Sequence, residues 1–567
     1  MPVEVRIESL RFANGASILA PKSGTLVVVG PNSSGKSSLL REIYARCFNP
    51  PPIKPHMVLD DIVAKKSGTV EDVIRWFQEN VSPETFISSQ HELGFKGSSG
   101  EISVSGLRAA WGDSDRIGYV AQFFVASHWA EERLRLLQEA SLHDLIYEQP
   151  TDPMQYLYSN TRVEAKLARW VRAAFGIDIT LNRYGASIGL RIGKLSRDLP
   201  PPPPPRDILR EYAEMRSIST EGDGVKAFIG LLLQVMHTSK KVTIIDEPEA
   251  FLHPPQARRL GRLLGESAPV DGQLIVATHS RHFLQGVLEY TGRPVQIVRL
   301  KKEAETFVPA TVLPVRIKQT WADPLLRYSD LLDGLFHDGV ILCEGDGDCR
   351  FYQAVMDACV KDDPGGLDLM FTHVGGKSRL GKAARQLHDF HVRSAIIADL
   401  DLLNDASVLR STIEGAGGRW ENFNEDFQLV SAAVQAMGPS ILTVDAARAQ
   451  ISTLLSKLPG KAPVSTGVAE AIKAAVAFRS PWQQIKLGGL SVLPYARSAA
   501  DRLLRELETI GIFLVPVGEL ERWIPLDVKK QSWVVEVLEK SHYATPPAQL
   551  VDFLRRIVSY FADDKLR

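Results

Sequence analysis

The sequence predicts an α/β protein of two domains, each built around a parallel sheet. Short apolar runs rich in β-branched residues, such as Leu26–Val29 and Val340–Cys343, are typical of buried strands, and a helical pattern follows each of them. Strands that alternate with helices favour parallel pairing. The pattern starts near the beginning of the chain and starts again after about Leu325. We therefore expect one domain at 1–325 and a second at 326–567.

The composition is that of an ordinary globular protein. The 567 residues are 44% hydrophobic and 23% charged, with a net charge of −1, so any nucleic-acid surface must be local rather than chain-wide. The four cysteines lack the spacing of a metal site or a disulfide framework, which favours a reducing compartment. No signal peptide and no apolar run of about 20 residues is evident. We expect a cytoplasmic protein with no membrane partner.

A phosphate-binding loop follows the first buried strand. The residues from Gly30 to Ser37 fit the pattern G-x-x-x-x-G-K-[ST], and a helix begins directly after them. Glycines allow backbone N–H groups to turn towards a phosphate, and the helix N-terminus adds partial positive charge. Lys36 would reach the β- and γ-phosphates of a nucleoside triphosphate and Ser37 would bind Mg²⁺. The candidate nucleotide-binding residues here are Gly30, Asn32, Ser33, Gly35, Lys36, Ser37 and Ser38.

A second predicted strand of this domain ends in two acidic residues, Asp246 and Glu247. Asp246 would hold the Mg²⁺ that bridges the phosphates, and Glu247 would polarise the attacking water. Because more than 200 residues separate Lys36 from this strand, we expect a largely helical insertion at about 51–210. It contains the proline run 200–205 and one helix face with four basic residues. That face is open to two interpretations, a solvated surface or a DNA contact; its residues are Arg162, Lys166, Arg169 and Arg172.

The first domain resembles the ABC-type ATPases. Asp246–Pro254 is similar to their Walker B motif and D-loop, and His279 follows a further strand where the family has its switch histidine. The loop 219–224 resembles a degenerate signature loop, in which Ser219 and Gly222 would meet the γ-phosphate bound by a second subunit. The resemblance implies two copies that bind ATP face to face. Gln90 and Gln122 both remain candidates for the Q-loop.

The second domain carries acidic residues at the ends of its predicted strands. Strands are expected at 340–343, 369–371, 394–398 and 512–515, with a helical insertion at about 404–509. Carboxyl ends of parallel strands share one edge of a sheet, so the acidic side chains there are expected to converge. Such an all-oxygen set suits Mg²⁺ or Mn²⁺ rather than zinc, and it is large enough for two ions. The set comprises Glu344, Asp348, Asp399, Asp401, Glu519 and Glu521.

The motifs E-G-x-x-D and D-x-D on neighbouring strands resemble the TOPRIM domain of topoisomerases, primases and certain nucleases. A basic cluster lies between them in sequence, and it is open to interpretation as a phosphate-backbone contact or a helix surface; it comprises Lys377, Arg379, Lys382 and Arg385. Three lysines remain unranked candidates for a transition-state cation: Lys529, Lys530 and Lys540.

An ABC-type ATPase followed by a TOPRIM domain resembles the OLD (overcoming lysogenization defect) family of nucleases. The resemblance implies ATP binding, metal-dependent DNA cleavage, a homodimer or higher assembly, and anti-phage defence with a partner protein or nucleic acid. It implies metal ligation by the acidic set, although Glu519 stands where the family often has a small polar residue. The residues with an implied catalytic role are Glu247, His279, Glu344, Asp399 and Asp401.

Two alternatives stay open at this point. The chain could be a DNA-repair-type ATPase that binds DNA without cutting it, since a TOPRIM domain can serve a structural role. It could also be an effector that a partner or a bound nucleotide holds inactive. Clustered carboxylates argue against the first alternative, because they repel one another unless a cation neutralises them.

Overall fold

A computed structural model shows two compact units, at 1–328 and 329–567, which are described separately below. It describes residues 2–562 except 49–56, 88, 90, 98–99, 113–115, 143–144, 146–149, 198–202, 238–239, 313, 323–329, 360–365, 440–442, 457–464, 477–478 and 494. The boundary expected after residue 325, the start of the proline run and Gln90 all lie outside the described residues.

The strands of the first unit are β1 (Glu4–Phe12), β2 (Ser17–Leu19), β3 (Gly24–Val29), β4 (Leu59–Ser67), β5 (Thr85–Ile87), β6 (Glu92–Gly97), β7 (Gly100–Ser103), β8 (Val125–His128), β9 (Ala140–Ser141), β10 (Ile179–Asn182), β11 (Ser187–Ile192), β12 (Arg216–Ser217), β13 (Val242–Asp246), β14 (Gln273–Ala277), β15 (Val295–Glu303) and β16 (Thr306–Val312). Its helices are α1 (Lys36–Phe48), α2 (Val70–Asn80), α3 (Val104–Gly112), α4 (Ala121–Phe124), α5 (Pro153–Ser159), α6 (Thr161–Phe175), α7 (Arg206–Glu214), α8 (Asp223–His237), α9 (Pro254–Ser267), α10 (Arg281–Glu289) and α11 (Pro314–Ala322).

A six-stranded sheet forms the centre of the first unit, in the order β16-β15-β3-β14-β13-β8. The five strands from β15 to β8 are parallel, and β16 pairs with β15 in the antiparallel direction. Every residue of β3, β13 and β14 is buried, as expected for strands covered on both faces. The phosphate-binding loop follows β3, and Asp246 ends β13, so both lie at the carboxyl edge of this sheet.

The segment 51–210, expected to be a largely helical insertion, contains strands as well as helices. β4 pairs with β1 along nearly its whole length, and β8 is the last strand of the central sheet. Two further antiparallel sheets, β5-β6-β7 and β10-β11-β12 with β9, also lie at least partly in this segment. The ATPase core therefore draws strands from inside the expected insertion, and the helices are interspersed among them.

The second unit has the strands β17 (Gly339–Cys343), β18 (Leu369–His373), β19 (Arg393–Asp399) and β20 (Ile512–Val515). Its helices are α12 (Asp346–Cys359), α13 (Leu380–Asp389), α14 (Ala406–Gly415), α15 (Asn424–Ala436), α16 (Val444–Ser456), α17 (Thr466–Ala475), α18 (Pro481–Gly488), α19 (Arg497–Thr509), α20 (Lys530–Glu539) and α21 (Ala548–Ala562).

Four parallel strands form the sheet of the second unit, in the order β18-β17-β19-β20. The helices α14 to α19 lie between β19 and β20 in the chain, where the sequence pattern predicts helices. One face of the sheet packs on α12, α20 and α21 through a core that includes Phe351, Trp533 and Phe553. This packing fixes the strand ends that carry the acidic residues. Among the described residues, no helix is both long enough and apolar enough to cross a membrane.

Candidate nucleotide site and carboxylate site

The phosphate-binding loop depends on two glycines with positive φ. Gly30 has φ +151°, and a Cβ atom there would lie 2.1 Å from the carbonyl oxygen of Leu300. Gly35 has φ +87°, and a Cβ atom would lie 2.6 Å from the Phe307 ring. Neither position accommodates a side chain without a shift in its surroundings. Asn32, Ser33 and Ser38 are exposed around the loop, in positions from which they can face a ligand.

Lys36 is held inside the loop by local carbonyl groups. Its Nζ donates hydrogen bonds to the oxygen atoms of Gly30 at 2.9 Å and Pro31 at 2.7 Å. Burial lowers the pKa of Lys36 to about 8, against the opposing effect of nearby carboxylates led by Glu247. The loop thus holds a buried ammonium group at the start of α1, where a phosphate would neutralise it.

Ser37 and Asp246 form the second part of this site. Ser37 Oγ donates to Asp246 Oδ1 at 3.1 Å, which joins the loop after β3 to the end of β13. Burial raises the pKa of Asp246, because its charged form loses hydration. A hydroxyl group and a carboxylate side by side are the oxygen ligands that Mg²⁺ prefers. The structure therefore brings together the two residues expected to bind the nucleotide's metal ion.

Glu247 adopts a left-handed backbone conformation, with φ +47°. Its N–H donates to the carbonyl oxygen of Ala277 at 2.9 Å. Arg133, whose side chain is fully buried, donates through its guanidinium group to the carbonyl oxygen atoms of Asp246 and Glu247. These contacts hold the strand end so that the Glu247 carboxylate lies 3.7 Å from His279 Nε2. Burial lowers the pKa of His279, which favours its neutral form.

Glu249 is a buried carboxylate that the sequence analysis did not single out. Its Oε1 accepts hydrogen bonds from Thr278 Oγ1 at 2.8 Å and from the N–H of His279 at 2.7 Å. Burial raises the pKa of Glu249, and its Oε2 has no hydrogen-bond partner among the described residues. Glu249 therefore links the loop after β13 to the loop after β14. Glu249 lies within the segment that resembles the Walker B motif and D-loop, whereas Arg133 carries no sequence signal that separates it from surface residues.

The remaining predicted residues of the nucleotide site lie elsewhere on the unit. Ser219 and Gly222 are exposed just before α8, and Ser219 hydrogen-bonds to Ser217. Gln122 lies in α4, directly before β8, and its carbonyl group accepts from Lys240. Since β8 and β13 are parallel, Gln122 is at the amino edge of the sheet, opposite to the phosphate-binding loop. That position does not fit a Q-loop residue.

The carboxylates of the second unit lie at the carboxyl edge of its sheet. Glu344 follows β17, Asp399 ends β19, and Glu519 and Glu521 follow β20. Glu344 Oε1 accepts from the N–H of Asp399 at 3.4 Å. Asp399 Oδ1 accepts from the N–H of Leu520 at 3.2 Å, so three strand ends are tied together.

Two further carboxylates complete this set. Asp348 lies in the first turn of α12 and accepts from the N–H of Gly345 at 2.9 Å. Asp401 lies in the turn after β19 and is close enough to Glu344 that its charge helps to raise the pKa of that residue. The structure therefore places all six predicted acidic residues on the same few strand and helix ends.

Lysines from three elements neutralise these carboxylates. Lys486 of α18 lies 3.2 Å from Asp399 Oδ2 and 2.8 Å from Asp401 Oδ2. Lys377, after β18, lies 3.2 Å from Asp401 Oδ1. Lys530, the first residue of α20, lies 2.8 Å from Glu519 Oε2 and 3.2 Å from Glu521 Oε2. We name these three side chains the lysine set.

Burial raises the pKa of three carboxylates in this set, of which Glu344 and Asp348 have no lysine ion pair among the described residues. Burial raises the pKa of Glu344, and the charges of Asp401 and Asp348 raise it further. Burial likewise raises the pKa of Asp348, with a contribution from Glu521. Burial raises the pKa of Asp399 to about 7, although Lys486 opposes the shift. An added cation would favour the ionised form of each of these groups.

The chemistry of this donor set fits a divalent ion. All the donors are carboxylate oxygen atoms, the ligands that hard divalent cations such as Mg²⁺ prefer. The positions of these side chains, however, are not those of a complete metal-binding site. Among the described residues, no three His, Cys, Asp or Glu side chains are close enough together to ligate one ion. Ammonium groups lie between several of these carboxylates instead.

Lys486 is the cation that the sequence analysis missed. Of the lysines considered there, Lys530 reaches the carboxylates, whereas Lys540 pairs with Glu536 on the surface of α20. Members of the basic cluster also differ in their contacts. Lys377 belongs to the lysine set, whereas Arg385 lies 3.9 Å from Glu414 of α14. A lysine on a helix far along the chain has no sequence feature that marks it as part of a site.

Two family models match the chain. The first matches residues 195–284 and carries the description "AAA domain, putative AbiEii toxin, Type IV TA system". The second matches residues 335–401 and describes the TOPRIM domain of proteins like the overcoming lysogenization defect protein. The second match contains Glu344, Asp348, Asp399 and Asp401. The fold and both sites thus define an ATPase domain of the P-loop class followed by an OLD-like TOPRIM domain.

A curated relative supports the same family. The chain is 24% identical over 208 residues to the Old nuclease of Escherichia phage P2, a match that covers 34% of this chain. The chain spans about a third of that protein's length, since the match covers 35% of it. Together with the family models, this match confirms the resemblance to the OLD family.

Solved structures with similarity to the chain include two SMC head domains. The domain from Thermotoga maritima is 13% identical, with 55% of this chain and 100% of that chain covered and a TM-score of 0.27. The domain from Pyrococcus furiosus, with an extended coiled coil and bound to the C-terminal domain of ScpA, is 10% identical, with 56% and 98% covered and a TM-score of 0.30. The fold assignment rests on the strand order and the loop after β3, not on these scores.

Proposed function

We propose that this chain is an ATP-binding, divalent-metal-dependent DNA endonuclease. The observation that carries the proposal is the convergence of six carboxylates at the carboxyl edge of the β18-β17-β19-β20 sheet. Clustered buried carboxylates are unfavourable without cations, so the chain retains them at a cost in stability that a catalytic role explains. The similarity to an Old nuclease and the OLD-like TOPRIM match support the same chemistry.

Each group has a proposed task in phosphodiester cleavage. The six carboxylates would hold one or two Mg²⁺ or Mn²⁺ ions, which when bound would stabilise negative charge on the attacking and leaving oxygen atoms. Lys486 and Lys377, which pair with Asp399 and Asp401, would supply positive charge beside the phosphate.

We further propose that the nucleotide controls cleavage through a homodimer. Lys36, Ser37 and Asp246 would bind Mg²⁺-ATP, and Glu247 and His279 would assist hydrolysis. Ser219 and Gly222 are exposed at the start of α8, where a second copy can reach them. In the cell, we propose that the enzyme acts in anti-phage defence, alone or with a partner protein or nucleic acid.

The test is a cleavage assay on the purified full chain. Plasmid DNA should be nicked or cut with Mg²⁺ or Mn²⁺ and left intact with EDTA, and cleavage should change when ATP is added. Asp399→Asn should abolish cutting and leave ATP binding unchanged. Asp346→Asn is the matched control, since Asp346 is an exposed acid of the same motif that pairs only with Arg350 among the described residues. Full activity of Asp399→Asn would disprove the site assignment.

A second candidate function is an ATPase that binds DNA without cutting it. One observation favours it: the lysine set already neutralises Asp399, Asp401, Glu519 and Glu521, so the fold does not need metal to pack these groups. Under this function, no divalent ion supports cleavage, and DNA stimulates ATP hydrolysis. The same assay, with ATP turnover measured beside it, decides between the two.

A further inference from the structure

The helices α6 and α9 of the ATPase unit lie side by side and antiparallel. Near one end, Lys166 Nζ of α6 lies 3.2 Å from Glu266 Oε1 of α9. Near the other end, Gln256 Nε2 of α9 donates to the carbonyl oxygen of Ala174 in α6 at 3.4 Å. Phe175 packs edge-on against Phe228 of α8, with ring centroids 5.2 Å apart, which fixes α6 on the core. The pair therefore presents one outer surface.

This surface concentrates positive charge in a chain whose net charge is −1. The two helices carry seven basic side chains and only two acidic ones, Glu164 and Glu266. Glu164 pairs with Arg183, and Glu266 pairs with Lys166. The nearby Glu289 pairs with Arg258, whose Nε lies 2.7 Å from it. Each acid is thus already neutralised by one partner.

Four arginines on these helices remain without an ion pair among the described residues. Arg162 and Arg169 are exposed on α6, and Arg259 and Arg262 are exposed on α9. We name these four the arginine face. Arg172, also exposed on α6, pairs with Asp178 at 3.0 Å and is therefore not included.

Two depressions border the arginines of α9. One, of about 230 Å³, lies between the helices and is lined in part by Trp170, Ala173, Arg259 and Arg262. The other, of about 570 Å³, lies on the far side of α9 and is lined in part by the same two arginines and by His282. Arg259 and Arg262 are three residues apart on one helix, so they stand as neighbours on a ridge between two grooves.

We propose that the arginine face binds the phosphate backbone of duplex DNA without regard to sequence. Arginine guanidinium groups recognise phosphate oxygen atoms, and such contacts dominate non-specific affinity for DNA. The face offers unpaired positive charge to a polyanion, and contacts to phosphate oxygen atoms carry no sequence information. This proposal rests on the proposed function, because it names the surface by which the ATPase unit would hold the substrate of the TOPRIM unit.

The experiment measures DNA binding by the full chain apart from cleavage. A labelled 30-base-pair duplex is titrated by fluorescence anisotropy in EDTA at several salt concentrations. The double variant Arg259→Gln/Arg262→Gln should weaken binding at least about tenfold and reduce the slope of log Kd against log salt by about 2. Two duplexes of unrelated sequence should respond alike.

Two control variants isolate the charge effect. Arg206→Gln/Arg210→Gln removes two exposed arginines from α7, a helix of the same unit that also carries three acids, and should leave binding within about twofold of the unaltered chain. Arg259→Lys/Arg262→Lys keeps the charges and should restore most of the salt dependence. ATP binding by all variants reports that the unit is folded.

The outcomes separate this proposal from the function on which it rests. Suppose that the Arg259→Gln/Arg262→Gln variant binds duplex DNA as tightly as the unaltered chain, and that the unaltered chain cuts plasmid. The proposal that the arginine face binds DNA is then wrong, and the proposed endonuclease function is unaffected. If that variant instead changes the sedimentation coefficient and not DNA binding, the face is a contact between copies and the proposal is overturned. If the unaltered chain neither binds nor cuts DNA, both fail.

Discussion

The two candidate sites neutralise their charged groups in opposite ways. In the nucleotide site, the single buried lysine is satisfied by carbonyl groups five and six residues away in its own loop. In the carboxylate site, Lys486 contacts an aspartate 85 residues away, and Lys377 and Lys530 come from two further elements. The first site is a property of a short segment, whereas the second exists only when distant elements are assembled. The difference predicts which substitutions remain local and which disturb a whole unit.

The largest effect is expected at Glu247. Glu247→Gln removes the group proposed to polarise water, and general-base loss lowers turnover by about 10²- to 10³-fold. ATP binding should be retained, because Lys36, Ser37 and Asp246 keep their contacts. Steady-state ATP turnover and nucleotide binding are the measurements. Glu79→Gln, at an exposed position of α2, is the control, and equal losses in both variants would show that the effect is not specific to Glu247.

Arg133 should matter next, although it lies outside every motif. Arg133→Met removes two hydrogen bonds to the carbonyl groups of Asp246 and Glu247 from a fully buried position, which should cost about 3 kcal/mol of unfolding free energy. ATP turnover should fall with it, because Glu247 loses support for its left-handed backbone. Arg135→Met is the exposed control two residues away. Urea denaturation compares the stability of the two variants. Equal unfolding midpoints would show that Arg133 does not stabilise the fold.

Lys486→Met tests the carboxylate site, where a lysine from a distant element neutralises two aspartates. The loss leaves Asp399 and Asp401 close together without their shared ammonium group, and we expect about 2 kcal/mol of destabilisation in EDTA. Mg²⁺ should stabilise this variant more than the unaltered chain, since the ion no longer competes with the lysine. Lys540→Met removes a surface pair of α20 and should change stability little. Thermal unfolding with and without Mg²⁺ measures this, and an unchanged response to Mg²⁺ would contradict an ion site here.

The smallest effect is a pH dependence in the ATPase unit. Burial lowers the pKa of His128, at the end of β8, to about 4, so it is neutral in the folded protein while the unfolded chain binds a proton below about pH 6.5. The unfolded state thus holds more protons between about pH 4 and 6.5. Stability should fall as the pH falls through this window, by at most about 1.4 kcal/mol per pH unit, with little effect at neutral pH. His128→Gln should flatten this slope. A slope unchanged in the variant would assign the acid sensitivity to other groups.

The sequence predicts best what a few neighbouring residues determine. The loop Gly30–Ser37 needs glycine where φ is positive and a lysine at one position, so it can be recognised from the sequence alone. The acidic residues at strand ends can be recognised for a similar reason, because an apolar run followed by carboxylates indicates a sheet edge. The helices between β19 and β20 follow from their periodicity.

Other features could not be predicted from the sequence, because no local pattern distinguishes them. β8 has four residues, Val125–His128, and such a short run carries too little pattern to reveal a strand of the central sheet. β4 has charged residues among its apolar ones and lies at an edge. Arg133 and Lys486 gain their roles only from what packs around them. A basic residue in such a position is indistinguishable in sequence from one that faces solvent.

The order in which the carboxylate site is completed along the chain has a consequence for synthesis. Asp399 Oδ1 accepts from the N–H of Leu520, 121 residues later, and the last of the six carboxylates in the chain is Glu521. A ribosome-bound chain that has released β17, β18 and β19 still lacks β20, and so cannot close the site. Because domains fold as units when their last strand is available, the proposed cutting activity would arise only after β20 has left the ribosome. A truncated product that stops before β20 would lack two of the six carboxylates and should not cut nucleic acid.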